Sequence, residues 1–479
     1  MYRNLGEFIR TLESLGELKR IGIPVSPNLE ITEITDRTVK KSGPALLFEN
    51  VKGSSIPVLT NAFGSPRRMA LALGTDDIES IADRIAVLVR PQIPGSLIDK
   101  LKLLPALAEL ASLPPRLVRD APCQEVVREA DASLDMLPIL KCWPGDAGRF
   151  ITLPMVFTRS PRSGVQNCGM YRMQVYDART TGMHWHVHHD GARIFAQHRE
   201  AGTVMDAAVA LGGDPAATWS AAAPLPPDVD EMLFAGFLRK KPVEMVRCRT
   251  VDLLVPAEAE VVLEGTVDPA EERVEGPFGD HTGFYSGAAA YPVFRLRCVT
   301  HRREPVYPAT IVGRPPMEDC FMGKAAERIF LPLVRVLVPE VVDLDLPVFG
   351  VFHNFAFVSI EKRYPFQAAK VMHALWGLGQ MMLTKIIVVV DAGTDVHDTA
   401  EVLWRVGNNI DPQRDVIFSR GPADVLDHAA GACTGTKMGI DATRKLPEEG
   451  ISRPWPDEIA MDEGVVRRID ALWDDLGIS

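Results

Sequence analysis

The run Lys385-Ile386-Ile387-Val388-Val389-Val390-Asp391 constrains the fold of this chain more than any other segment. Its five central residues are apolar and β-branched, which predicts a strand buried on both faces. A strand pattern at residues 355–360 and a helical pattern at 366–379 precede it, and a second helical pattern follows at 399–406. Strands that alternate with helices predict an α/β domain over residues 325–460.

The first 95 residues predict a smaller α/β unit. It contains two helical patterns and two short apolar runs bounded by Gly, Pro and Asn, at residues 4–16, 31–39, 45–48 and 57–60. These features are typical of alternating helices and strands. Residues 96–122 are rich in Leu, Pro and Lys and are interpreted as a helical and extended connector. Residues 461–479 predict a C-terminal amphipathic helix.

Between residues 123 and 324 the pattern changes to many short β-type runs separated by turn residues. Strands are predicted over residues 152–158, 171–176, 184–188, 243–246, 260–265 and 293–299, and helices over 195–211 and 231–238. Many short strands in one region predict a β-barrel or a β-sandwich core. The whole chain is therefore predicted to be a multidomain mixture of α/β and α+β parts.

The composition narrows the class of protein. The chain has 479 residues, of which 46% are hydrophobic and 24% charged, as in an ordinary globular protein of several domains. A net charge of −11 argues against a nucleic-acid surface. There is no apolar run long enough for a transmembrane helix and no signal-peptide pattern. Seven widely spaced cysteines without a Cys-x-x-Cys motif indicate reduced thiols, so we expect a cytoplasmic protein.

Four of the eleven histidines fall within six residues. His184, His186 and His188 alternate with Trp185 and Val187, so on a strand the three imidazoles would share one face. Neutral imidazole binds manganese, iron and zinc ions. A polar strand face and a metal site, including the zinc site of a hydrolase, both stay open at this point. No His-Glu-x-x-His pattern and no acidic residue at diagnostic spacing completes a zinc site.

Two further sets of side chains carry oxygen atoms suited to chemistry. Asn167 and Glu231, combined with one imidazole, would favour a hard ion such as Mn²⁺ or Mg²⁺, although Glu231 suits a helix surface equally well. The loop over residues 275–283 is dense in Gly and Pro, and it holds Glu275 and Asp280. One carboxylate is expected to be ionised beside an arginine and the other poised to donate a proton. A charged hairpin turn is the alternative.

Several runs together resemble the UbiD family of carboxy-lyases, which use prenylated FMN to decarboxylate unsaturated and aromatic acids. The matching runs are Gly43-Pro44-Ala45-Leu46-Leu47-Phe48-Glu49-Asn50, Ala121-Pro122-Cys123-Gln124, Phe234-Ala235-Gly236, residues 275–283, Gly313-Arg314-Pro315-Pro316 and Lys437-Met438-Gly439-Ile440-Asp441-Ala442-Thr443. The resemblance implies an N-terminal α/β unit, a central split β-barrel that binds the flavin, and a C-terminal α/β domain that dimerises. A homodimer or a hexamer is expected.

The resemblance also implies a cofactor site. A divalent ion, Mn²⁺ or Mg²⁺, with K⁺ as a further candidate, would tie the flavin phosphate to the protein through Asn167, His188 and Glu231. A buried phosphate needs such positive charge. Flavin contacts are expected at Met170, Tyr171, Arg172, His184, Trp185, His186, His189, Asp190 and Lys385. A flavin prenyltransferase would supply the cofactor.

The catalytic residues that the resemblance implies are Arg172, Glu275 and Asp280. Arg172 would hold the substrate carboxylate and pair with Glu275, and Asp280 would protonate the ring carbon after CO₂ leaves. Members that act on polyprenyl-hydroxybenzoate carry Arg in place of His184 and Arg-Gly in place of His189-Asp190. The Gly-Met-His-Trp-x-x-His pattern, the run Phe352-His353-Asn354 and the run over residues 441–450 are more similar to relatives proposed to act on a dihydroxynaphthoate in menaquinone biosynthesis.

The sequence therefore predicts a cytoplasmic decarboxylase of a phenolic or naphthoic acid in quinone biosynthesis. The substrate would be of the 4-hydroxy-3-polyprenylbenzoate or the 1,4-dihydroxy-6-naphthoate type, and peripheral contact with a membrane stays open. Two alternatives stand beside this hypothesis. One is a non-catalytic flavin-binding subunit of a decarboxylase complex, and the other is a histidine-ligated zinc hydrolase.

Overall fold

A computed structural model describes residues 1–89, 113–431 and 433–478. Within these residues the chain forms a mixed α/β structure in three parts, whose main sheets have four, seven and five strands. Most of the connector predicted over residues 96–122 lies outside the described residues. The predicted domain boundaries stay predictions.

The N-terminal part is a four-stranded sheet with helices packed against it. Its elements are α1 (Leu5–Ser14), β1 (Leu18–Ile21), α2 (Glu30–Val39), β2 (Ala45–Phe48), β3 (Val58–Thr60), α3 (Pro66–Ala72) and α4 (Glu79–Val89). Helix α1 begins where the Asn4 side chain accepts a hydrogen bond from the Glu7 N–H at 3.0 Å. Its apolar residues Leu5, Phe8 and Leu12 are buried. The four elements predicted in this part are all present.

The central part contains most of the strands. Its elements are β4 (Arg116–Leu117), β5 (Val126–Arg128), β6 (Phe150–Ile151), β7 (Pro154–Arg159), β8 (Gln166–Met170), β9 (Met173–Gln174), β10 (Thr180–Gly182), α5 (Asp190–Ala201), β11 (Met205–Leu211), α6 (Pro215–Ser220), α7 (Glu231–Arg239), β12 (Glu244–Arg247), β13 (Leu254–Pro256), β14 (Val261–Glu275), β15 (Ala289–His301) and β16 (Tyr307–Pro308). Strand β16 pairs with β3 and so completes the N-terminal sheet in the order β1-β2-β3-β16.

The main sheet of the central part is antiparallel and has the order β10-β15-β14-β11-β7-β8, with β5 paired to β15. Its long hairpin β14–β15 ends at Glu275, so the sheet delivers that carboxylate to the loop that follows. No pairing among the described residues joins β10 to β8. The split barrel is thus not shown by the strand pairing and stays a prediction.

The C-terminal part is a five-stranded mixed sheet with helices. Its elements are α8 (Glu318–Leu337), β17 (Val341–Asp345), β18 (Phe355–Ile360), α9 (Gln367–Trp376), β19 (Ile386–Asp391), α10 (Thr399–Asn409), β20 (Val416–Pro422), β21 (Thr434–Asp441) and α11 (Glu463–Asp470). The strand order is β17-β18-β19-β21-β20, and β19 lies between two parallel neighbours. The central position of β19 confirms the prediction from its run of β-branched residues, of which Ile387 to Val390 are buried.

Two predictions for the central part were wrong. Residues 184–188 do not form a strand, but an irregular segment that leads into α5. The helix predicted over residues 195–211 ends at Ala201, where Gly202 takes a left-handed conformation (φ 65°) and its N–H caps the last turn. The remaining residues form the buried strand β11, whose pairing with β7 and β14 overrides their helical pattern.

Two negative predictions can be compared with the described residues. None of the helices described is long and apolar enough to cross a membrane. All seven cysteines are free thiols, in agreement with the prediction from their spacing.

Candidate functional site

Arg172 lies just after β8 and forms the centre of a buried charge cluster. Its side chain is 9% exposed, and its Nε donates to Oε1 of Glu275 at 2.9 Å. Its Nη1 contacts Oδ2 of Asp280, and its Nη2 donates to Oγ of Ser286 at 3.1 Å. The guanidinium also lies 4.7 Å from the centroid of the Phe278 ring. The structure thus brings together the three residues predicted to be catalytic.

This arrangement sets the charge of both carboxylates. Burial would raise their pKa values, but the hydrogen bond from His184 and the charge of Arg172 hold the pKa of Glu275 below its usual value. The charge of Arg172 and the hydrogen bond from His281 likewise lower the pKa of Asp280, against its burial. Both carboxylates are ionised in this arrangement. Neither of them holds a proton in this arrangement, and the expectation that one of them donates a proton during the reaction stays a prediction.

The loop that carries the two carboxylates is held by Asp146. Its Oδ1 accepts the N–H of Gly279 at 2.7 Å, and its Oδ2 accepts the N–H of Trp143 at 2.8 Å. A Cβ atom at Gly279 would lie 2.2 Å from Cδ1 of Trp143. The glycine therefore lets the loop approach the indole ring closely, which places Asp280 beside Arg172.

The histidine cluster does not form the single strand face that the sequence predicted. His184 is buried, and its Nδ1 lies 2.7 Å from Oε2 of Glu275. Its Nε2 lies 2.5 Å from Nε2 of His186, whose ring stacks on that of His189 with centroids 4.9 Å apart. Burial lowers the pKa of His184 and of His186, and lowers that of His189 to about 4. These three imidazoles are therefore neutral near pH 7.

Asn167 and Glu231 form a second polar cluster, on β8 and at the first residue of α7. Nδ2 of Asn167 donates to Oε1 of Glu231 at 2.7 Å, and the Cys168 N–H donates to Oε2 at 2.8 Å. Burial raises the pKa of Glu231 to about 8. Oδ1 of Asn167 is buried and has no hydrogen-bond partner among the described residues. A buried carboxylate beside an orphan amide oxygen fits a hard divalent cation.

The third predicted metal ligand, His188, is exposed. None of the hydrogen bonds or ion pairs of the described chain involves its side chain. Lys385, predicted to reach the flavin phosphate, instead pairs with Asp427 at 2.7 Å. The structure thus brings Asn167 and Glu231 together, and no contact connects His188 or Lys385 to them.

The other residues predicted to contact a flavin surround the start of α5. The hydroxyl of Tyr171 accepts the N–H of Gly191 at 3.2 Å, and its ring meets that of Trp185 edge-on. Asp190 opens the helix and pairs with Arg193 at 2.7 Å. Met170, at the end of β8, precedes Tyr171 and is partly buried. Of these residues, Tyr171 lies beside the histidines, with its ring centroid 5.2 Å from that of His189.

A cavity of about 210 Å³ lies between the central and C-terminal parts. The central part contributes Trp185, His186, Val187, His188, His189 and Tyr291, and the C-terminal part contributes Leu383, Asp424, Val425 and Cys433. The cavity is next to the cluster around Arg172, because His186 contacts His184 and His184 contacts Glu275. A ligand in this cavity would contact both parts of the chain.

Sequence reasoning missed several residues of this site. His281 lies against Asp280, and Nε2 of His281 lies 2.9 Å from Nε2 of His353 in the C-terminal part. Ser286 and Asp146 hold Arg172 and the carboxylate loop. The position of His281 directly after Asp280 was a usable signal. No sequence pattern connects His353 to it across 72 residues.

Comparisons with known proteins cover most of the chain. Residues 9–87, 116–315 and 320–442 match the N-terminal, Rift-related and C-terminal domains of 3-octaprenyl-4-hydroxybenzoate carboxy-lyase, UbiD. An uncharacterized protein of Archaeoglobus fulgidus is 53% identical over 478 residues, which are 99% of this chain and 98% of that protein.

Two solved enzymes are similar over nearly their whole length. The UbiD-class enzyme HmfF of Pelotomaculum thermopropionicum, in complex with FMN, is 32% identical over 97% of this chain and 98% of its own, with a TM-score of 0.80. An evolved dimeric form of it was solved with prenylated FMN. Vanillic acid decarboxylase of Sedimentibacter hydroxybenzoicus in its closed form is 29% identical over 99% of both chains, with a TM-score of 0.87. The TM-score to the open form of the same enzyme is 0.78.

The close approach at Gly279 leads to a first prediction. Gly279→Ala is expected to destabilise the protein by about 1–3 kcal/mol, because the added Cβ overlaps the Trp143 ring and must displace it or the loop. Gly287→Ala is the matched control, since a Cβ there meets no atom within 4 Å. Urea denaturation followed by tryptophan fluorescence measures both. Equal midpoints for the two variants would contradict the packing argument.

The ion cluster leads to a second prediction, on pH dependence. In the wild type, the depressed pKa values of Glu275 and Asp280 add stability above about pH 4, and this stability is lost as the pH falls through the folded pKa values. In Arg172→Met, burial without the guanidinium raises both pKa values, so both carboxylates destabilise the fold above about pH 4.

The loss of stability in Arg172→Met is therefore expected to reach about 3–5 kcal/mol near pH 7 and to shrink toward pH 4. Urea denaturation at a series of pH values measures it. Arg149→Met is the control, because the Arg149–Asp135 pair is exposed and its loss should matter little at any pH. A loss in Arg172→Met that does not change with pH would refute the electrostatic explanation.

Proposed function

The chain belongs to the UbiD family of prenylated-FMN-dependent carboxy-lyases, and from this membership we propose that it decarboxylates an aromatic acid through Arg172, Glu275 and Asp280. The observation that carries the proposal is the buried contact of Arg172 with both carboxylates, beside a cavity lined by two parts of the chain. The substrate class is supported by the similar vanillic acid decarboxylase.

Arg172 would bind the substrate carboxylate, because its guanidinium contacts both of the predicted catalytic carboxylates. An incoming carboxylate would compete with Asp280 for Nη1 and would add negative charge next to it. Both effects raise the pKa of Asp280. The substrate itself would thus convert Asp280 from an ionised group into a proton donor.

Glu275 would keep Arg172 in place while Asp280 changes its charge. Nε and Nη2 of Arg172 both donate to Glu275, so the guanidinium stays oriented when Nη1 turns to the substrate. Nδ1 of His184 also donates to Oε2 of Glu275, which holds this carboxylate in place. Prenylated FMN, when bound, supplies the electron sink for the loss of CO₂. Asp280 would deliver the proton to the ring carbon.

We propose that Asn167 and Glu231 bind the divalent ion that would hold the cofactor phosphate. The orphan Oδ1 of Asn167 and the desolvated carboxylate of Glu231 support this assignment. His188 has no competing partner among the described residues and would be available as the third ligand. Mn²⁺ and Mg²⁺ both suit two oxygen ligands and an imidazole, and K⁺ stays a further candidate.

The substrate is proposed to be a phenolic or naphthoic acid of quinone biosynthesis. This finer proposal rests on His184, His189 and Asp190, which differ from the residues of members that act on polyprenyl-hydroxybenzoate. A cytoplasmic homodimer or hexamer that receives its flavin from a prenyltransferase completes the proposal, and the dimeric form of HmfF supports the dimer. The higher similarity to the closed form of vanillic acid decarboxylase suggests that this structure is a closed arrangement.

The two alternatives are less well supported. A non-catalytic flavin-binding subunit would not need the complete set of Arg172, Glu275 and Asp280. A zinc hydrolase does not agree with membership of a carboxy-lyase family. Within the described residues, the one cluster of three acidic or imidazole groups close enough to share an ion is Glu327, Asp345 and His397, and Lys324 already pairs with both carboxylates there.

The proposal predicts a cofactor and a reaction. Protein co-expressed with a flavin prenyltransferase should release a flavin with the mass of prenylated FMN. It should release CO₂ from at least one acid of a panel of hydroxybenzoates and dihydroxynaphthoates. Asp280→Asn should lose at least about 10³-fold in kcat while it retains the flavin, because it removes the proton donor. Asp76→Asn, at an exposed site, is the control. Turnover by Asp280→Asn at the wild-type rate would contradict the proposal.

The proposed ion site has its own test. Mn²⁺ should raise the thermal midpoint of FMN-loaded wild-type protein, because an ion that binds only the folded state stabilises it by about 2.7 kcal/mol at 100 times its Kd. Glu231→Gln should abolish this increase. Glu327→Gln, which alters the other acidic cluster, should preserve it. Differential scanning calorimetry with and without Mn²⁺ measures all three proteins, and an undiminished increase in Glu231→Gln would disprove the assignment.

A further inference from the structure

If Asp280 donates a proton to the ring carbon, it must be protonated again in each turnover. Decarboxylation consumes one proton in each turnover, since a hydrogen on the ring carbon replaces the CO₂ that leaves. Asp280 is 5% exposed, and in the described structure the charge of Arg172 keeps its pKa low. Its Oδ2 contacts Arg172. Solvent therefore has little access to the carboxylate, and the proton must reach Asp280 through a neighbouring group.

His281 is that neighbour. Its ring Nδ1 lies 3.0 Å from Oδ1 of Asp280, and its own backbone N–H donates to the same oxygen at 2.8 Å. The ring is stacked on Phe352 with centroids 5.3 Å apart, and Nε2 lies 2.9 Å from Nε2 of His353. The side chain of His281 is 16% exposed and that of Asp280 is 7% exposed, so His281 reaches solvent more easily.

The His281–His353 contact requires one ring to donate and the other to accept. Burial works against a charged His281, but the hydrogen bond to Asp280 and the charges of Asp280, Asp319 and Asp424 raise its pKa. Burial and the charge of His281 lower the pKa of His353 to about 4. His281 therefore carries the proton of the pair. It donates through Nδ1 to Asp280 and through Nε2 to His353, which is neutral and accepts.

The turn that presents His353 is strained. Val351 and Phe352 have φ values of 47° and 51°, in the left-handed region that side chains rarely adopt and that a β-branched residue avoids. The N–H groups of His353 and Asn354 both bond to the Gly350 carbonyl, at 3.3 and 2.8 Å. Phe352 lies so close to Gly323 of α8 that a Cβ there would be 2.9 Å from it. Strain of this kind persists where surrounding contacts fix it, and it is concentrated at functional sites.

We propose that His281 supplies the proton that Asp280 delivers to the ring carbon, and that His353 of the C-terminal part orients His281 for this transfer. The proposal rests on the proposed role of Asp280 as the proton donor. The proton moves from Nδ1 of the His281 imidazolium to Oδ1 of Asp280, which leaves His281 neutral. Asp280 then gives a proton to the ring carbon, and His281 takes one proton from solvent before the next turnover. Both histidines act through Asp280 and are positioning residues.

Because His353 comes from the C-terminal part, the supply is complete only when that part lies against the central one. An open arrangement would separate His353 from His281 and weaken the charged form of His281. The proton supply would then depend on the same closure that forms the cavity.

The test combines NMR titration with pH–rate profiles. In cofactor-free protein, His353→Leu should lower the pKa of His281, followed by the ¹H–¹³C signals of labelled histidines, because its Nε2–H loses its acceptor. His353→Gln, which retains an acceptor oxygen, should restore it. In the loaded enzyme, with 3,4-dihydroxybenzoate or the fastest acid of the panel, the alkaline limb of kcat/KM should move down by about one pH unit in His353→Leu. That shift is a tenfold loss at high pH.

A second variant distinguishes a loss of proton supply from a general disturbance of the structure. His281→Ala should lose at least about tenfold in kcat near pH 8, recover as the pH is lowered, and recover in part when free imidazole is added as a diffusing acid. Imidazole should not change the wild-type rate. A His281 pKa and a pH profile that both stay at their wild-type values in His353→Leu would overturn the proposal, as would a His281→Ala variant that imidazole does not rescue. Failure of the proposed function would look different, because the wild type would then decarboxylate no acid or Asp280→Asn would remain active.

Discussion

The contact of Arg172 with Glu275 and Asp280 is the interaction on which the site depends. One positive and two negative charges are removed from water together, and each is acceptable there only because the others are present. Together the three groups carry one net negative charge. The raised pKa of His281 keeps its imidazole protonated, and this positive charge offsets the net negative charge. His184 remains neutral and serves as a hydrogen-bond donor to Glu275. A site balanced in this way responds strongly to a further carboxylate, which is the chemical group that a decarboxylase must recognise.

Much of the surrounding structure holds these charged groups at their contact distances. Asp146 uses its two oxygens to tie the carboxylate loop to the backbone near Trp143, and Gly279 allows the loop to lie against the indole. Hairpin β14–β15 delivers Glu275 to the loop, and β8 delivers Arg172. Arg172 and its partners come from segments more than 100 residues apart. A change in the central sheet would therefore alter the distances between these charged groups.

The same strand connects the charge cluster to the candidate ion site. Asn167 lies on β8, five residues before Arg172, and meets Glu231 at the start of α7. The Arg172 cluster is nearly neutral overall, whereas the Asn167–Glu231 cluster contains a desolvated carboxylate and an unpartnered amide oxygen. The first is suited to exchange a proton and the second to bind a cation. This difference in polar balance explains how two carboxylate sites so close along the chain would divide binding and chemistry.

The sequence by itself determined the strands and helices whose patterns were strong, such as β19 with its run of β-branched residues and α1 with its apolar face. It also predicted the proposed catalytic set, because Glu275 and Asp280 lie in a run that resembles one family and the resemblance implies Arg172 as their partner. Tertiary structure decided what local pattern could not. Polar and apolar residues alternate over 184–188 as in a strand, yet the segment is irregular. There His184 forms hydrogen bonds with Glu275 and His186. The His281–His353 contact and the charge of Asp280 likewise depend on distances between parts of the chain far apart in sequence. Local propensity acts over a few residues, whereas a pKa or a hydrogen bond is set by whichever group the fold brings within a few ångströms.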